Sequence, residues 1–315
     1  MKFLLTTIPG FEDIGKEDLE APDTSFSALP KRIQGRLLFQ GKLPSRLPKS
    51  ILSAYKVFYA GKRLDDTEIV KACKRKKLRR AWILLKDIPR TNEQFDKRRR
   101  RLANEIGMEL DKDADTILRI ENLFDTTIMS IHERDAEVRD YRKDNMPFSL
   151  RPSFGYCMVR LTDLAEHQTL IDPFCGGGTI PIESALWYGH TISIIGSDMT
   201  PGHVKASIRN AKEAKVRQMI HFMEADISVL QNRLSQRADA IVTEFPHQLK
   251  TKTNRYLFRT FFDVADSILN QDGRIVALVH DDREFKKLSE GYSIVDERKT
   301  IKGGYALRII ILRKT

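Results

Sequence analysis

The rhythm of hydrophobic positions changes near residue 169. Before it, short apolar runs predict strands at 2–7, 35–39, 81–85, 116–120 and 127–131. Asp65-Asp66-Thr67 opens a basic helix over 65–77, and Thr91, with Gln94 in the capping-box place, opens another that runs to about Leu110. Phe95, Leu102, Ile106 and Leu110 fall on one side of it, which leaves Lys97–Arg101 largely outward. Pro152 opens a helix to about Ala165. From Thr169 onward, strands at 169–171, 193–197, 220–223, 240–243 and 274–280 alternate with helices at 178–187, 201–214 and 257–269. That alternation predicts a parallel sheet covered by helices on both faces. Runs at 292–300 and 306–313 flank Lys302-Gly303-Gly304 and predict an antiparallel hairpin at the sheet edge. The expected architecture is α/β: a Rossmann-like parallel sheet with its C-terminal hairpin over 151–315, a smaller α+β region over 1–135, and a polar linker over 136–150.

Composition narrows the function classes. No run approaches the roughly 18 consecutive apolar residues that a membrane span needs. Cys73, Cys157 and Cys175 are odd in number and lack metal spacing, which fits a reducing cytoplasm rather than a disulfide or zinc framework. The net charge of +11 is unevenly spread: residues 42–101 hold 20 Lys/Arg against 6 Asp/Glu. A localised basic field points to a polyanion, most often nucleic acid, though a solvated face is the plainer reading of any one run. The candidate RNA contacts are Lys71, Lys74, Arg75, Lys76, Lys77, Arg79 and Arg80, then Arg98, Arg99, Arg100 and Arg101.

The candidate chemistry begins at Asp172-Pro173-Phe174-Cys175-Gly176-Gly177-Gly178-Thr179, between a buried strand and a helix. Glycines let a ligand approach the backbone, and the helix N-terminus offers free N–H groups. The spacing matches neither a dinucleotide fingerprint nor a P-loop. An acid before the glycines would repel a pyrophosphate but suits an ammonium, such as that of S-adenosylmethionine (SAM). Asp198, at the tip of the next strand, is placed to hold two ribose hydroxyls. Asp226, after the third, can accept from an adenine amine. Cys175 reads as a small filler, Glu183 as a helix-surface residue or a loop contact, and His203, His221 and His280 as structural.

The segments IDPFCGGGTIPIESA, GSDMTPGHVKASIRNAKEA and EADI, with RDYRKDNMPFSLRPSFGYCMVRL upstream, resemble the THUMP-associated tRNA methyltransferases that modify guanine N2. The likeness is specific over about 139–250. In the N-terminal region it rests on position, size and basicity. It implies that Asp172, Phe174, Gly176, Gly178 and Thr179 form the SAM loop, that Asp198 holds the ribose and Asp226 the adenine. Arg151 and Pro152 fall in the motif that closes over the cofactor. It also implies tRNA as the partner.

The fourth strand of such enzymes ends in Asn or Asp, then Pro-Pro, then an aromatic. The polar groups accept from the target amine, and the aromatic stacks on the flipped base. Here the positions read Glu244, Phe245, Pro246 and His247, followed by Gln248. Three readings stand at this stage: an active enzyme with an altered acceptor pocket; methylation of a different atom; or a cofactor site kept without catalysis, in a protein that binds RNA or serves a partner subunit.

Overall fold

The computed structural model describes residues 1–27, 35–86, 93–123, 125–136, 140–144, 149–246 and 251–315. The chain divides into one unit of Met1–Thr7 with Phe11–Glu137 and a second of Ile8–Gly10 with Val138–Thr315. The first holds β1 (Lys2–Thr7), α1 (Glu12–Glu17), β2 (Ser25–Ser27), β3 (Arg36–Gln40), β4 (Ile51–Lys62), α2 (Asp66–Lys74), β5 (Arg80–Leu85), α3 (Glu93–Ile106), β6 (Glu109–Leu110), β7 (Ile117–Leu123) and β8 (Thr126–Asp135). These strands form one sheet in the order β2-β3-β1-β4-β8-β7-β5-β6. Ile69 and Cys73 of α2 and Phe95, Leu102 and Ile106 of α3 pack with Ile83 and Leu118 of the sheet. The start of α2 follows from its sequence. Asp65 accepts from the Glu68 amide, and the Glu68 side chain accepts from the Asp65 amide, so two otherwise orphaned donors are satisfied.

Three features of this unit depart from the sequence reading. The second helix ends at Ile106, because Gly107 at φ +79 turns the chain and the Met108 amide donates back to Ala103. Leu110 consequently lies in β6, parallel to β5; Thr91, read as the helix cap, lies outside the described residues. The long strand β4 has no counterpart among the predicted elements. Its ladder with β8 shifts register at Ala54/Tyr55 and again at Val57/Tyr59, which breaks the two-residue alternation that would reveal it.

The second unit holds α4 (Pro152–Arg160), β9 (Thr169–Asp172), α5 (Thr179–Tyr188), β10 (Ser193–Asp198), α6 (Pro201–Glu213), β11 (Ile220–Glu224), β12 (Ala238–Glu244), α7 (Thr251–Ile268), β13 (Leu269–Val279), α8 (Asp282–Lys287), β14 (Tyr292–Lys302) and β15 (Tyr305–Lys314). Its sheet runs β11-β10-β9-β12-β13-β15-β14. The first five strands are mutually parallel, and β15 is antiparallel to both β13 and β14. This is the Rossmann-like sheet with the C-terminal hairpin at its edge. The order reverses at β9, so the carboxyl ends of β9 and β12 flank a natural crevice. Every residue of β9 is buried, as a central parallel strand requires.

Helix α4 stops at Arg160 rather than near Ala165, and the Thr162 hydroxyl donates to the Val159 carbonyl at its end. Part of the segment read as linker is packed instead. The Tyr141 hydroxyl donates to Glu183 Oε1 at 2.9 Å, Arg209 Nε donates to Asp144 Oδ2 at 2.5 Å, and the Asp144 amide donates to Asn210 Oδ1 at 3.1 Å. Glu183 is fully buried, so it is no helix-surface residue. No described helix is long and apolar enough to cross a membrane.

Candidate functional site

A cavity of 580 Å³ lies at the carboxyl ends of β9, β10, β11 and β12. Its size falls within the roughly 300–1,000 Å³ of small-molecule sites. Asp172 to Gly177 and Thr179 line one side; Asp198, Asp226 and Glu244 each enter from the end of a different strand. The recurrence of one acid per strand–helix unit, read from sequence, is thus a spatial cluster.

The loop after β9 is fastened from three directions. The Cys175 amide donates to the Ser197 carbonyl at 2.8 Å, and the Gly176 amide donates to Asp198 Oδ2 at 3.0 Å. Asn210 Nδ2 on α6 donates to the Gly177 carbonyl at 2.9 Å. Gly176 and Gly178 take φ of +51 and +82, in the left-handed region that favours glycine. A Cβ on Gly178 would stand 2.7 Å from Ser207 Cβ. Gly178→Ala is therefore expected to destabilise the second unit by about 2 kcal/mol, from left-handed strain plus overpacking, with an unchanged thermal midpoint as the contrary result.

Asp172 is 2% exposed and accepts from the Thr243 hydroxyl at 2.7 Å and the Phe174 amide at 3.2 Å, both at Oδ1. Burial pushes its carboxyl up to about 7; Asp198 and Glu244 push the same way, while the two hydrogen bonds oppose. The unfolded chain ionises this group near 3.8, so the ligand-free fold loses stability as pH rises from about 4 through 7. A bound ammonium reverses the sign, since it favours the carboxylate. Affinity for a ligand with an ammonium beside Asp172 should rise as pH increases from 6 to 7.5, with proton release on binding. Calorimetry in buffers of different ionisation enthalpy measures that release; a pH-independent affinity would contradict it.

Asp198 ends β10 with its carboxylate nearly saturated by protein. Oδ1 accepts from the Thr200 amide at 2.9 Å and faces His203 Nδ1 at 3.1 Å, while Oδ2 takes the Gly176 amide. A carboxylate has about four acceptor positions, so capacity for a hydroxyl remains. Asp226 accepts from the Ser228 amide and hydroxyl at 2.8 and 2.6 Å, both at Oδ1, and caps the short turn Ile227–Asn232. Burial drives the Cys175 thiol well above its usual range, reinforced by Asp172 and Asp198, in keeping with a filler rather than a nucleophile.

The acceptor segment divides. Glu244 lines the cavity, and Lys302 of β14 donates to its Oε1. Phe245 is 2% exposed, and its ring packs with Phe174, Phe258, Phe261 and Phe285 at centroid distances of 4.9–5.4 Å. Its bulk is thus absorbed by the core beneath the site. Pro246 is exposed at the cavity wall. His247 lies outside the described residues. Upstream, Ser149 and Leu150 form the wall, whereas Arg151 is the exposed N-cap of α4 and Pro152 its first residue. Arg142 donates to the Leu150 carbonyl at 3.2 Å and Thr179 does so at 3.3 Å, which is how the upstream motif reaches the loop.

Four contributors escaped the sequence reading. His203, structural by its sequence spacing, sits in the first turn of α6 against Asp198, five residues on from it. Thr243 immediately precedes Glu244 and could have been found as its neighbour. Tyr256 is 71% exposed on the cavity wall, and nothing local marks it. Lys302 arrives only through the hairpin.

In the first unit, Lys71, Lys74, Arg75, Lys76, Lys77, Arg79 and Arg100 are exposed. The outward reading of 97–101 holds only in part. Arg99 is buried, with its guanidinium 3.7 Å from the Trp82 ring centroid and bonded to Asp96. Arg98 and Arg101 both bind Asp66, and Arg80 binds Asp111. These four are committed to the fold, at least in part: Arg98 and Arg101 of α3 reach Asp66 at the start of α2, Arg99 pairs within α3, and Arg80 of β5 holds Asp111 just after β6.

A family model described as UPF0020, RMKL-like methyltransferase domain, matches residues 139–306. A tRNA (guanine(6)-N2)-methyltransferase of Methanocaldococcus jannaschii is 26% identical over 242 residues, and the chain spans 63% of that relative's length and 63% of its own. The tRNA (guanine(6)-N2)-methyltransferase of Archaeoglobus fulgidus is 23% identical, with 99% of this chain and 92% of that one covered. The crystal structure of TrmN from Thermus thermophilus superposes with a TM-score of 0.80 at 20% identity, covering 100% of both chains, a likeness of fold.

Proposed function

The chain belongs to the UPF0020, RMKL-like methyltransferase family, and from that premise we propose that it is a SAM-dependent enzyme that methylates the exocyclic N2 of a guanosine in tRNA. The observation that carries the reading is the single cavity wall shared by the Asp172–Thr179 loop, Asp198, Asp226 and Glu244. The residues fit the cofactor. Asp172 is a buried carboxyl suited to an ammonium, the left-handed Gly176 keeps the backbone open, and Asp198 retains acceptor capacity for a ribose hydroxyl. Asp226 would take the adenine amine, with Phe174 and Thr179 completing the wall. When bound, SAM supplies an activated methyl group on a sulfonium.

The chain's own residues then do three things. Glu244 accepts from the target amine and so orients its lone pair. Phe245 and its aromatic neighbours hold the end of β12 rigid beneath it. The exposed run Lys71, Lys74, Arg75, Lys76, Lys77 and Arg79 attracts the RNA backbone in a THUMP-like N-terminal module. Guanine-N2 and tRNA are the acceptor and substrate in the names of the two relatives, which supports the same assignment here. The reading without catalysis has less support, since Glu244 stands on the cavity wall. The buried cysteines Cys73, Cys157 and Cys175, which form no disulfide, favour a cytoplasmic setting.

Labelled SAM offered to tRNA, DNA and protein in competition tests the proposal, with label expected in tRNA; label in DNA or protein would overturn it. Charge reversal of Lys74, Arg75, Lys76 and Lys77 together should weaken tRNA binding and lower its salt slope by about 3 to 4, against an unchanged slope if these charges are idle.

A further inference from the structure

Lys302 is a half-buried cation on a mostly exposed strand. The pattern of β14 is largely open to solvent, yet the Lys302 and Glu244 side chains keep only 14% and 15% of their exposure. The two are 58 residues apart, and the hairpin joins them. Lys302 stands opposite Tyr305 across a two-residue turn, Gly303-Gly304, with φ of +58 and +86. Positive φ at both positions is the turn that matches the twist of paired strands, so the last rung of this ladder fixes where the ammonium stands.

A pair this far from water gains little net stability, because desolvation offsets the attraction. Its place at the end of β12 invites a different account. The cavity wall carries Asp172, Asp198, Asp226 and Glu244. Lys302 sets a cation against the last of these.

We propose that Lys302 and Glu244 act together as a reader of the guanine Watson–Crick edge, with Lys302 as a specificity-determining residue. The inference rests on the guanine-N2 reading above. That edge presents O6, an acceptor, beside N1–H and N2–H, two donors. A carboxylate accepts from N1–H and N2–H, and an ammonium beside it donates to O6. Adenine reverses two of these groups, with an amine in place of O6 and a bare N1, so the same pair meets like against like. Tyr256 on the same wall offers a face on which a flipped base can stack.

The test compares tRNA transcripts with guanosine or 2-aminopurine at the methylated position. 2-Aminopurine keeps the N2 amine but lacks O6 and N1–H. The unmodified protein should prefer guanosine in kcat/KM by about 100-fold or more. Lys302→Met should lower that preference about 10-fold while SAM affinity stays within a few-fold. Lys302→Gln, which still donates to O6, should retain more of the preference than Lys302→Met. A preference unchanged in Lys302→Met, or Gln and Met behaving alike, would overturn the role of Lys302. Absence of transfer to guanosine by the unmodified protein would contradict the methyltransferase reading itself.

Discussion

Glu244→Ala is expected to lower kcat by about 10²–10³-fold while SAM affinity changes only a few-fold, because the loss falls on orienting the acceptor. An aromatic amine such as guanine N2 is a poor nucleophile until its lone pair is aimed, and hydrogen-bond acceptors do the aiming. Glu244 ends β12 on the cavity wall, where that acceptor is needed. Glu244→Gln keeps an acceptor oxygen and should retain more activity than the alanine variant. The substitution also leaves Lys302 without this partner, so the tRNA KM should rise as well. Single-turnover kinetics with saturating SAM separates the two effects. Full activity in Glu244→Ala would show that the acceptor site lies elsewhere.

Asp198→Ala should weaken SAM binding about 10³-fold, the larger of the two binding losses available in this site. The carboxylate would hold a ribose hydroxyl through a charge-assisted bond, and it also ties three protein groups together. It accepts from the Gly176 and Thr200 amides and faces His203. Removing it takes away ligand contacts and frees the glycine loop at once. His203→Ala removes only the side partner and should cost far less. Equilibrium binding of SAM by calorimetry gives both values, and near-equal losses would show that the Asp198–His203 contact, rather than a ribose contact of Asp198, carries the effect.

Much of the second unit was legible in the sequence because its signals are local. A buried strand, a glycine loop and a helix start are contiguous in the chain, so Asp172 and Gly178 could be read in place. Asp198 and Asp226 followed from the repeat of the same strand–loop unit. The first unit was less legible. β4 is the longest strand there, yet its two register shifts scramble the alternation that would announce it.

The basic run around Arg99 misled for another reason. Charge is readable from sequence, but the partners Asp66 and Trp82 come from other elements. The acceptor end failed similarly. Phe245 falls in the acceptor segment by sequence position, whereas the chain turns it into the core. Lys302 could not be found at all, since its place depends on the folded hairpin. Residues 140–144 read as a polar linker because their partners, Glu183, Arg209 and Asn210, lie on helices further along the chain.

On the proposed function, the Glu244 end of β12 completes a working acceptor site. Nucleoside analysis by mass spectrometry of unmodified tRNA, after incubation with the protein and SAM, tests it most directly. N2-methylguanosine at one position is the expected product. SAM binding with tRNA binding and no methylated nucleoside, or a methyl group on a different base atom, would contradict it.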